Sequence, residues 1–344
     1  MPLPPVPPLP PARGRGVRGR PQRRRRRGWG VALLALLLAA AIWFAPSAPS
    51  WQGVGTGWNS FLPWSAVGIL LLGLIALARR AWWGLAAVLV PALVWSVMFV
   101  PQLLPRIETA QTPDLTVATQ NIGAANADPG AAADALIASG AGLVAVQELS
   151  STTGAAAGQQ LDAAYPHHTT IGTVGLWSDW DLGQTKGLEL GLGWARALRV
   201  TVEHPLGQIA VYVVHLASVR PGDTTARDAG LQELSALIAA DPAARVMVVG
   251  DLNTAGTDPR FADITNLMAD TRTATGSGFG FTWPAGFPLT RPDHVLVRGL
   301  TVTSDEVLDG AGSDHRAVLA GLRFWAEPVR LNRAGSTGQD AADG

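Results

Sequence analysis

The chain has no cysteine, which excludes a disulfide framework, a thiolate metal site and a cysteine nucleophile. Lysine occurs once, at Lys186, among twenty-five arginines, and with the abundant alanine and glycine this fits a GC-rich coding bias better than a chemical demand. Asp and Glu are missing from the first 105 residues, which hold eleven arginines and carry +11. The rest of the chain carries −11, so the formal net charge of +0 conceals two oppositely charged parts. There is no internal repeat, and the length allows two structural units.

What the first part does contain is arginine, proline and long apolar runs. Residues 1–28 are Pro-rich and end in the run Arg23–Arg27 without apolar periodicity. They are expected to be a disordered, basic, cytoplasmic flank drawn to anionic lipid. Three apolar stretches follow over residues 29–105, at Trp29–Ala45, Phe61–Ala78 and Trp82–Val100. At roughly 17 to 19 residues each, they predict three transmembrane helices near the lower length limit. None contains a charge, so ion or proton transport has no carrier, and the segment reads as an anchor kinked at Pro91. Trp29, Trp43, Trp51, Trp58, Trp64, Trp82, Trp83 and Trp95 cluster near the ends, as interfacial residues do. The small residues at Ala45–Ala48 would also suit a cleaved signal peptide, but two more spans follow. Arginines before the first span and at Arg79–Arg80 should stay in the cytoplasm, while the uncharged loop Pro46–Ser60 crosses. Three spans then place the remainder outside the cell membrane.

Residues 106–330 read as one sizeable α/β domain, and residues 331–344 as a disordered tail. Strands are expected at Leu115–Ile122, Gly142–Glu148, Gly191–Arg199, Gln208–His215, Val246–Val249, His294–Val297 and Ala317–Leu322. Helices are expected at Asp128–Ser139 and Arg227–Ala240, with Arg227 and Gln232 on the surface of the second. The stretch Arg245–Gly256 organises the domain: a short apolar strand ends in Gly250-Asp251-Leu252-Asn253. A carboxylate and an amide two positions apart are hard oxygen donors suited to Mg²⁺ or Mn²⁺. Alone, such a pair is more often an Asx turn than a site. Its company raises it. Asn121, Glu148 and His215 close strands, Asp293 opens one, and Asp314-His315 precedes another. Chemistry-bearing residues at so many strand ends are what a site along one sheet edge requires. His294 is expected to point elsewhere, and His167-His168 to lie in a loop, as a second metal site or a solvated turn.

The segments QNI, QE, VHL, GDLNT, RPDHVLV and GSDHRAV, in this order, resemble the endonuclease/exonuclease/phosphatase superfamily of DNase I-like nucleases, neutral sphingomyelinases and inositol-phosphate phosphatases. The resemblance implies a four-layer α/β/β/α sandwich of two mixed sheets and metal-dependent phosphoester cleavage. It implies Glu148 as a principal Mg²⁺ ligand, with Asn121 and Asp314 completing the metal environment. It implies that Asp251 and Asn253 hold the attacking water and the phosphate, and that His215 donates to the phosphate. His315 is then the catalytic histidine, oriented by Asp293. An arginine that many relatives carry after the metal glutamate is replaced here by Leu149-Ser150-Ser151, and a tyrosine found between the Glu and His motifs has no counterpart. Lys186 and Arg196 are the substitutes expected to bind the phosphate.

Nucleic-acid binding needs several cations against phosphates, and a part carrying −11 without a basic cluster disfavours it. A phosphorylated lipid suits an enzyme held at a membrane. The aromatic stretch Phe279–Pro288 is either a packed loop or a wall touching membrane or a lipid chain. Three spans before such a domain resemble VanJ-type membrane proteins linked to teicoplanin-class resistance, which implies hydrolysis of undecaprenyl pyrophosphate. A phospholipid or sphingomyelin phosphodiesterase, or a nuclease of the same superfamily, is the enzymatic alternative, and a tethered binding protein on a dead scaffold the non-enzymatic one.

Overall fold

The computed structural model describes residues 28–47, 53–106, 112–220, 222–276 and 278–324, besides Met1. The arginine run and the C-terminal tail expected to be disordered lie outside the described residues. Leu/Ala-rich runs form helices α1 (Trp29–Trp43), α3 (Ser65–Ala78) and α4 (Trp82–Leu103), and a shorter helix α2 (Val54–Ser60) lies between α1 and α3. Among the described residues only α4 is by itself long and apolar enough to cross a membrane. A second span is available if α2 and the helix after it, bent by 64°, count as one. The first two apolar stretches are therefore longer than their helices, whereas α4 continues past the third stretch to Leu103. Phe44 ends α1 and Leu62–Trp64 form a 3₁₀ turn, so apolar residues are spent on turns. Pro91, expected to kink the third stretch, lies within the continuous helix α4.

Alternating and continuous apolar runs build twelve strands in two six-stranded sheets. The first sheet has the order β11 (Leu300–Val307), β12 (Val318–Phe324), β1 (Leu115–Asn121), β2 (Leu143–Gln147), β4 (Val174–Ser178), β3 (His167–Ile171). The second has the order β5 (Lys186–Leu188), β6 (Ala197–His204), β7 (Gly207–His215), β8 (Val246–Asp251), β10 (Asp293–Arg298), β9 (Ala269–Asp270). Each sheet holds one parallel pair, β1 with β2 and β7 with β8, among antiparallel neighbours. The sheets pack face to face through Val117, Leu143, Val211, Met247, Val249 and Val295. Helices α5 (Pro129–Ala138) and α6 (Thr153–Ala164) cover the outside of the first sheet, and α7 (Thr225–Ala240) that of the second. These are the two mixed sheets and flanking helices of an α/β/β/α sandwich.

The strand expected at Gly191–Arg199 starts only at Ala197, because the glycines at 191 and 193 take positive φ and turn the chain. His167 and His168 belong to β3 rather than to a loop, with Asp181 and Asp162 as their respective neighbours at 3.3 and 3.5 Å.

Side-chain alternation sets up the site. Val117, Leu143, Val211, Met247 and Val249 face the inter-sheet core. Continuing each strand by the same period brings Asn121, Gln147, His215 and Asp251 to that inward face at the strand ends. Asp293 precedes Val295 on the same face. Register keeps them level, with Asn121 opposite Gln147, His215 opposite Asp251, and Asp251 opposite Asp293. The apolar core thus gives way to polar residues along one edge.

His294 has the opposite parity and leaves the site, as expected. Its ring packs 4.3 Å from that of Phe261, and Nε2 donates to the Thr254 carbonyl at 2.7 Å. Burial, reinforced by Arg291, lowers its pKa to about 3 from an ordinary 6.5. The unfolded chain therefore binds the extra proton between those values, and stability present above pH 6.5 is lost on acidification. His294→Gln keeps a donor but does not titrate. Between pH 7 and 5 its urea-unfolding free energy should fall by about 2 kcal/mol less than that of the wild type.

Candidate active site

Gly250 allows β8 to deliver its carboxylate. Its φ is 131°, and a Cβ there would lie 2.1 Å from the Val214 carbonyl. The glycine admits the neighbouring strand's backbone, not a ligand's approach. Asp251 follows, and its Oδ1 accepts from the Asn253 backbone N–H at 2.8 Å. Asn253 itself adopts φ 46° and donates through Nδ2 to the Leu216 carbonyl at 3.0 Å. Glu148, just past β2, also has positive φ, 62°. Two non-glycine residues in the left-handed region carry backbone strain, which surrounding contacts must hold.

Those contacts join the two sheets. Asn121 Nδ2 donates to Glu148 Oε1 and to Asp251 Oδ2, both at 3.0 Å. The other carboxylate oxygen of Glu148 accepts from the Ala124 backbone N–H at 2.6 Å. His215 Nε2 lies 3.6 Å from Glu148 Oε1 and 3.7 Å from Asp251 Oδ2. The turn bearing Asp314 and His315 is pinned to β1 by Ser313, whose hydroxyl donates to the Asn121 carbonyl at 2.6 Å. Asp293 Oδ2 receives Thr282 Oγ1 at 2.5 Å and meets His315 Nδ1 at 2.9 Å. His315 Nε2 then faces Asp251 Oδ2 at 3.9 Å. Asp314 is exposed at the mouth, where the Trp283 indole N–H donates to it at 3.3 Å.

The two histidines differ in charge. Burial takes the pKa of His215 down to about 4, and Arg196 and His315 add to this, so its ring is neutral. Burial acts against the charged form of His315 too, but Asp293, Asp251 and Asp314 outweigh it and raise its pKa to about 10. Asp251 is raised by burial and by the charge of Asp293. Arg196 stands over the His215 ring, with Nη2 2.6 and 2.7 Å from the two nitrogens. Burial lowers its pKa and Glu148 and Asp251 oppose this; a guanidinium nonetheless stays charged.

These residues fit a hard divalent cation. Three carboxylates, Glu148, Asp251 and Asp314, line one cleft with protonated His315, and Asp293 and Arg196 stand behind His315 and His215. Asp293 Oδ1 is buried without a hydrogen bond. Ligand atoms of Asp251, Asp293 and His315 lie within 4.8 Å of one another. Because Asp293 and His315 are already engaged with each other, the freer oxygen donors are Glu148, Asn121, Asp251 and Asp314. All are of the type that Mg²⁺ and Mn²⁺ prefer.

Of the residues expected at the site, Asn121, Glu148, His215, Asp251, Asn253, Asp293, His315, Asp314 and Arg196 come together. Lys186 does not. It pairs in register with Arg199 and lines a separate depression with Gln184 and Glu203. Arg196 precedes β6 and lies three residues from Arg199, which puts Lys186 about 10 Å away along the strand direction. Arg227, expected on a helix surface, is buried and makes an ion pair to Asp258 at 2.9 Å. Its Nη1 donates at 3.1 Å to the Asn253 carbonyl, so it braces the strained turn. Sequence reading missed Thr282, Trp283, Arg220 and the α2 residues lining the cleft. Only the aromatic stretch Phe279–Pro288 pointed towards any of them.

Asp293→Asn removes the charge that keeps the proton on His315. Histidine NMR titration of the EDTA-treated protein should place the His315 pKa well below about 10, towards the ordinary 6.5. An unmoved titration would show that Asp293 does not hold this proton.

The sequence model of the Endonuclease/Exonuclease/phosphatase family matches residues 118–315, from β1 to His315. No curated protein matches the chain. Among solved structures, D. rerio TDP2 complexed with a single-strand DNA product is 16% identical, with TM-score 0.53, covering 61% of this chain and 99% of that one. Truncated Caenorhabditis elegans TDP2 is 19% identical, with TM-score 0.51 and coverages of 61% and 97%. An endonuclease/exonuclease/phosphatase from Beutenbergia cavernae is 22% identical, with TM-score 0.49 and coverages of 63% and 73%. At these identities the two TDP2 likenesses concern the fold, whereas the family match takes in Asn121, Glu148, His215, Asp251, Asn253, Asp293, Asp314 and His315 but not the α2 residues of the cleft. The chain belongs to the Endonuclease/Exonuclease/phosphatase family.

Proposed function

We propose that this protein is a membrane-anchored, divalent-metal-dependent phosphohydrolase acting at the outer face of the cell membrane on a phosphorylated lipid, with undecaprenyl pyrophosphate the first substrate to test. One observation carries the reading. The cleft of about 640 Å³ that holds Glu148, Asp251, Asn253, Asp314 and His315 is lined on its other side by Val54, Thr56 and Phe61 from the apolar N-terminal part. The polar residues of the site and the apolar N-terminal part share this cleft, which supports a phosphate group that carries a lipid chain.

Further features support the anchor as three spans. Large apolar side chains stay exposed along the helices, among them Leu33 and Leu37 on α1, Leu70 and Leu74 on α3, and Leu89 and Leu93 on α4. Such a belt suits lipid rather than water. Gly28 and Ala81 meet at one end of the bundle, beside Arg79–Arg80. The other end meets the catalytic domain, where Trp64 Nε1 donates to the Leu289 carbonyl at 2.9 Å and the Arg106 N–H to the Thr275 carbonyl at 2.9 Å. Arginines at one end and the catalytic domain at the other agree with the positive-inside rule. Helices α1 and α3 are short for hydrocarbon, a mismatch that local thinning accommodates.

Glu148 and Asn121, with Asp314 and Asp251, would hold a Mg²⁺ or Mn²⁺, which would supply positive charge to the phosphoryl oxygens. Neutral His215 donates an N–H to the phosphoryl group, and Arg196 beside it adds a fixed cation. Asp251, with its carboxyl raised, takes a proton from the attacking water, which Asn253 orients. Protonated His315, steadied by Asp293, donates to an oxygen on which charge develops. For a pyrophosphate, water oxygen bonds to phosphorus and the P–O–P link breaks, giving the lipid monophosphate and inorganic phosphate.

Full-length protein in detergent with Mg²⁺ should release inorganic phosphate from undecaprenyl pyrophosphate. Release should vanish with EDTA and fall at least about a hundredfold in His315→Ala and Glu148→Gln. A phosphorylated head group released from phospholipid instead, or cleavage of single-stranded DNA alone, would overturn the substrate assignment. Orientation has a clean test because the chain lacks cysteine. In intact cells Leu206→Cys, at an exposed position of the catalytic domain, should react with a membrane-impermeant maleimide. Arg80→Cys should react only after lysis; the reverse pattern would invert the topology.

A further inference from the structure

The cleft has two ends of opposite character. At its inner end stand Glu148, Asp251 and His315, with Arg196 and His215 behind them. At its outer end Val54 and Phe61 face it from either side of α2, and Trp283 from the loop before β10. These apolar residues keep 63%, 41% and 38% of their surface exposed, and the nearby Phe287 keeps 66%. Ionic groups and the apolar side chains of Val54, Phe61 and Trp283 lining one cleft, with Asp314 hydrogen-bonded to Trp283 where the two meet, complement an amphipathic ligand.

The apolar wall is fastened to the catalytic machinery. Thr56 Oγ1 accepts from Arg227 Nη2 at 3.4 Å, and Arg227 is the residue that braces the Asn253 turn. Thr257 Oγ1, also in the loop after β8, donates to the Asn59 carbonyl at 2.5 Å. The Trp283 loop is held to the same helices, with Phe281 and Phe287 5.9 and 6.1 Å from the ring of Trp64. From Phe61 the apolar surface continues without a charged residue onto the exposed leucines of α3.

We propose, building on the phosphorylated-lipid reading, that α2 and the Phe61 turn form part of the substrate site itself. Val54, Phe61 and Trp283 hold the hydrocarbon chain next to the phosphate and pass it to the bilayer alongside α3. The N-terminal helices are then a specificity element as well as an anchor. The chain is recognised by apolar burial, which favours length over branching pattern. The phosphate is placed by the inner residues, so the wall acts on which lipid is taken.

The test compares undecaprenyl pyrophosphate with a short-chain, water-soluble prenyl pyrophosphate, using full-length protein in mixed micelles. Phe61→Ser and Val54→Ser should each lower the long-to-short ratio of kcat/KM about tenfold, about 1.4 kcal/mol of selectivity, chiefly through KM for the long substrate. Both side chains are exposed, so the replacements open no core cavity, and an unchanged thermal midpoint with Mg²⁺ would verify this. A ratio that stays level, or activity lost equally on both substrates, overturns the proposal while leaving the lipid reading intact. Wild-type protein that cleaves the short pyrophosphate but never the long one would instead sink the lipid reading.

Discussion

Negative charge crowded into the mouth between two sheets is the constraint on which the rest of this structure depends. Glu148, Asp251, Asp293 and Asp314 come from four separate chain segments, and carboxylates at such spacing repel one another in a poorly solvated cleft. The protein offsets this locally with the Asn121 amide bridging Glu148 and Asp251, the Thr282 hydroxyl on Asp293, Arg196 and the imidazolium of His315. What remains unbalanced is what a divalent cation would answer. The strain at Glu148 and Asn253 belongs to the same arrangement, since both side chains are turned inward by a backbone that only fixed neighbours can maintain.

The sandwich exists to hold that mouth open and level. Two sheets packed through valine, leucine and methionine form a stiff interior. Because inward residues recur every second position, the strands that supply the core also supply the site when their sequence turns polar. No separate scaffold is needed, and a one-residue register slip in β8 would turn Asp251 outward. Arg227 extends this rigidity to the N-terminal helices. As a buried cation it contacts Asp258, Asp228, Thr254, the Asn253 carbonyl and Thr56, so the catalytic turn and α2 share one brace.

Much of the site was legible because each of its residues sits in a short motif at the end of an apolar run. VVGDLN, VYVVH and LVAVQE announce both a buried strand and where it stops. Elements without that contrast were harder to read. Helix α6 is Ala/Gly/Gln-rich with Leu161 its one large apolar residue, β3 and β11 are edge strands with polar alternation, and β6 begins six residues later than its apolar run suggests. Lys186 illustrates the limit. Residue type and spacing made it as good a phosphate ligand as Arg196, and only the β5–β6 register separates the two.

The sequence by itself determined the parts that depend on local pattern. These are the charge split, the absence of thiol chemistry, the apolar N-terminal helices, the period-2 strands and the polar residue ending each one. Tertiary structure alone decided what depends on distance between segments far apart in the chain. It set which histidine is neutral and which protonated, because that follows from burial and from Asp293, Arg196 and Asp251 arriving from other strands. It buried Arg227 and laid α2 along the cleft, because contacts such as Thr56 to Arg227 join residues 171 positions apart. No periodicity encodes such a meeting. It follows from packing two sheets and the N-terminal helices into one body, where side-chain volume and unpaired polar atoms select the partners.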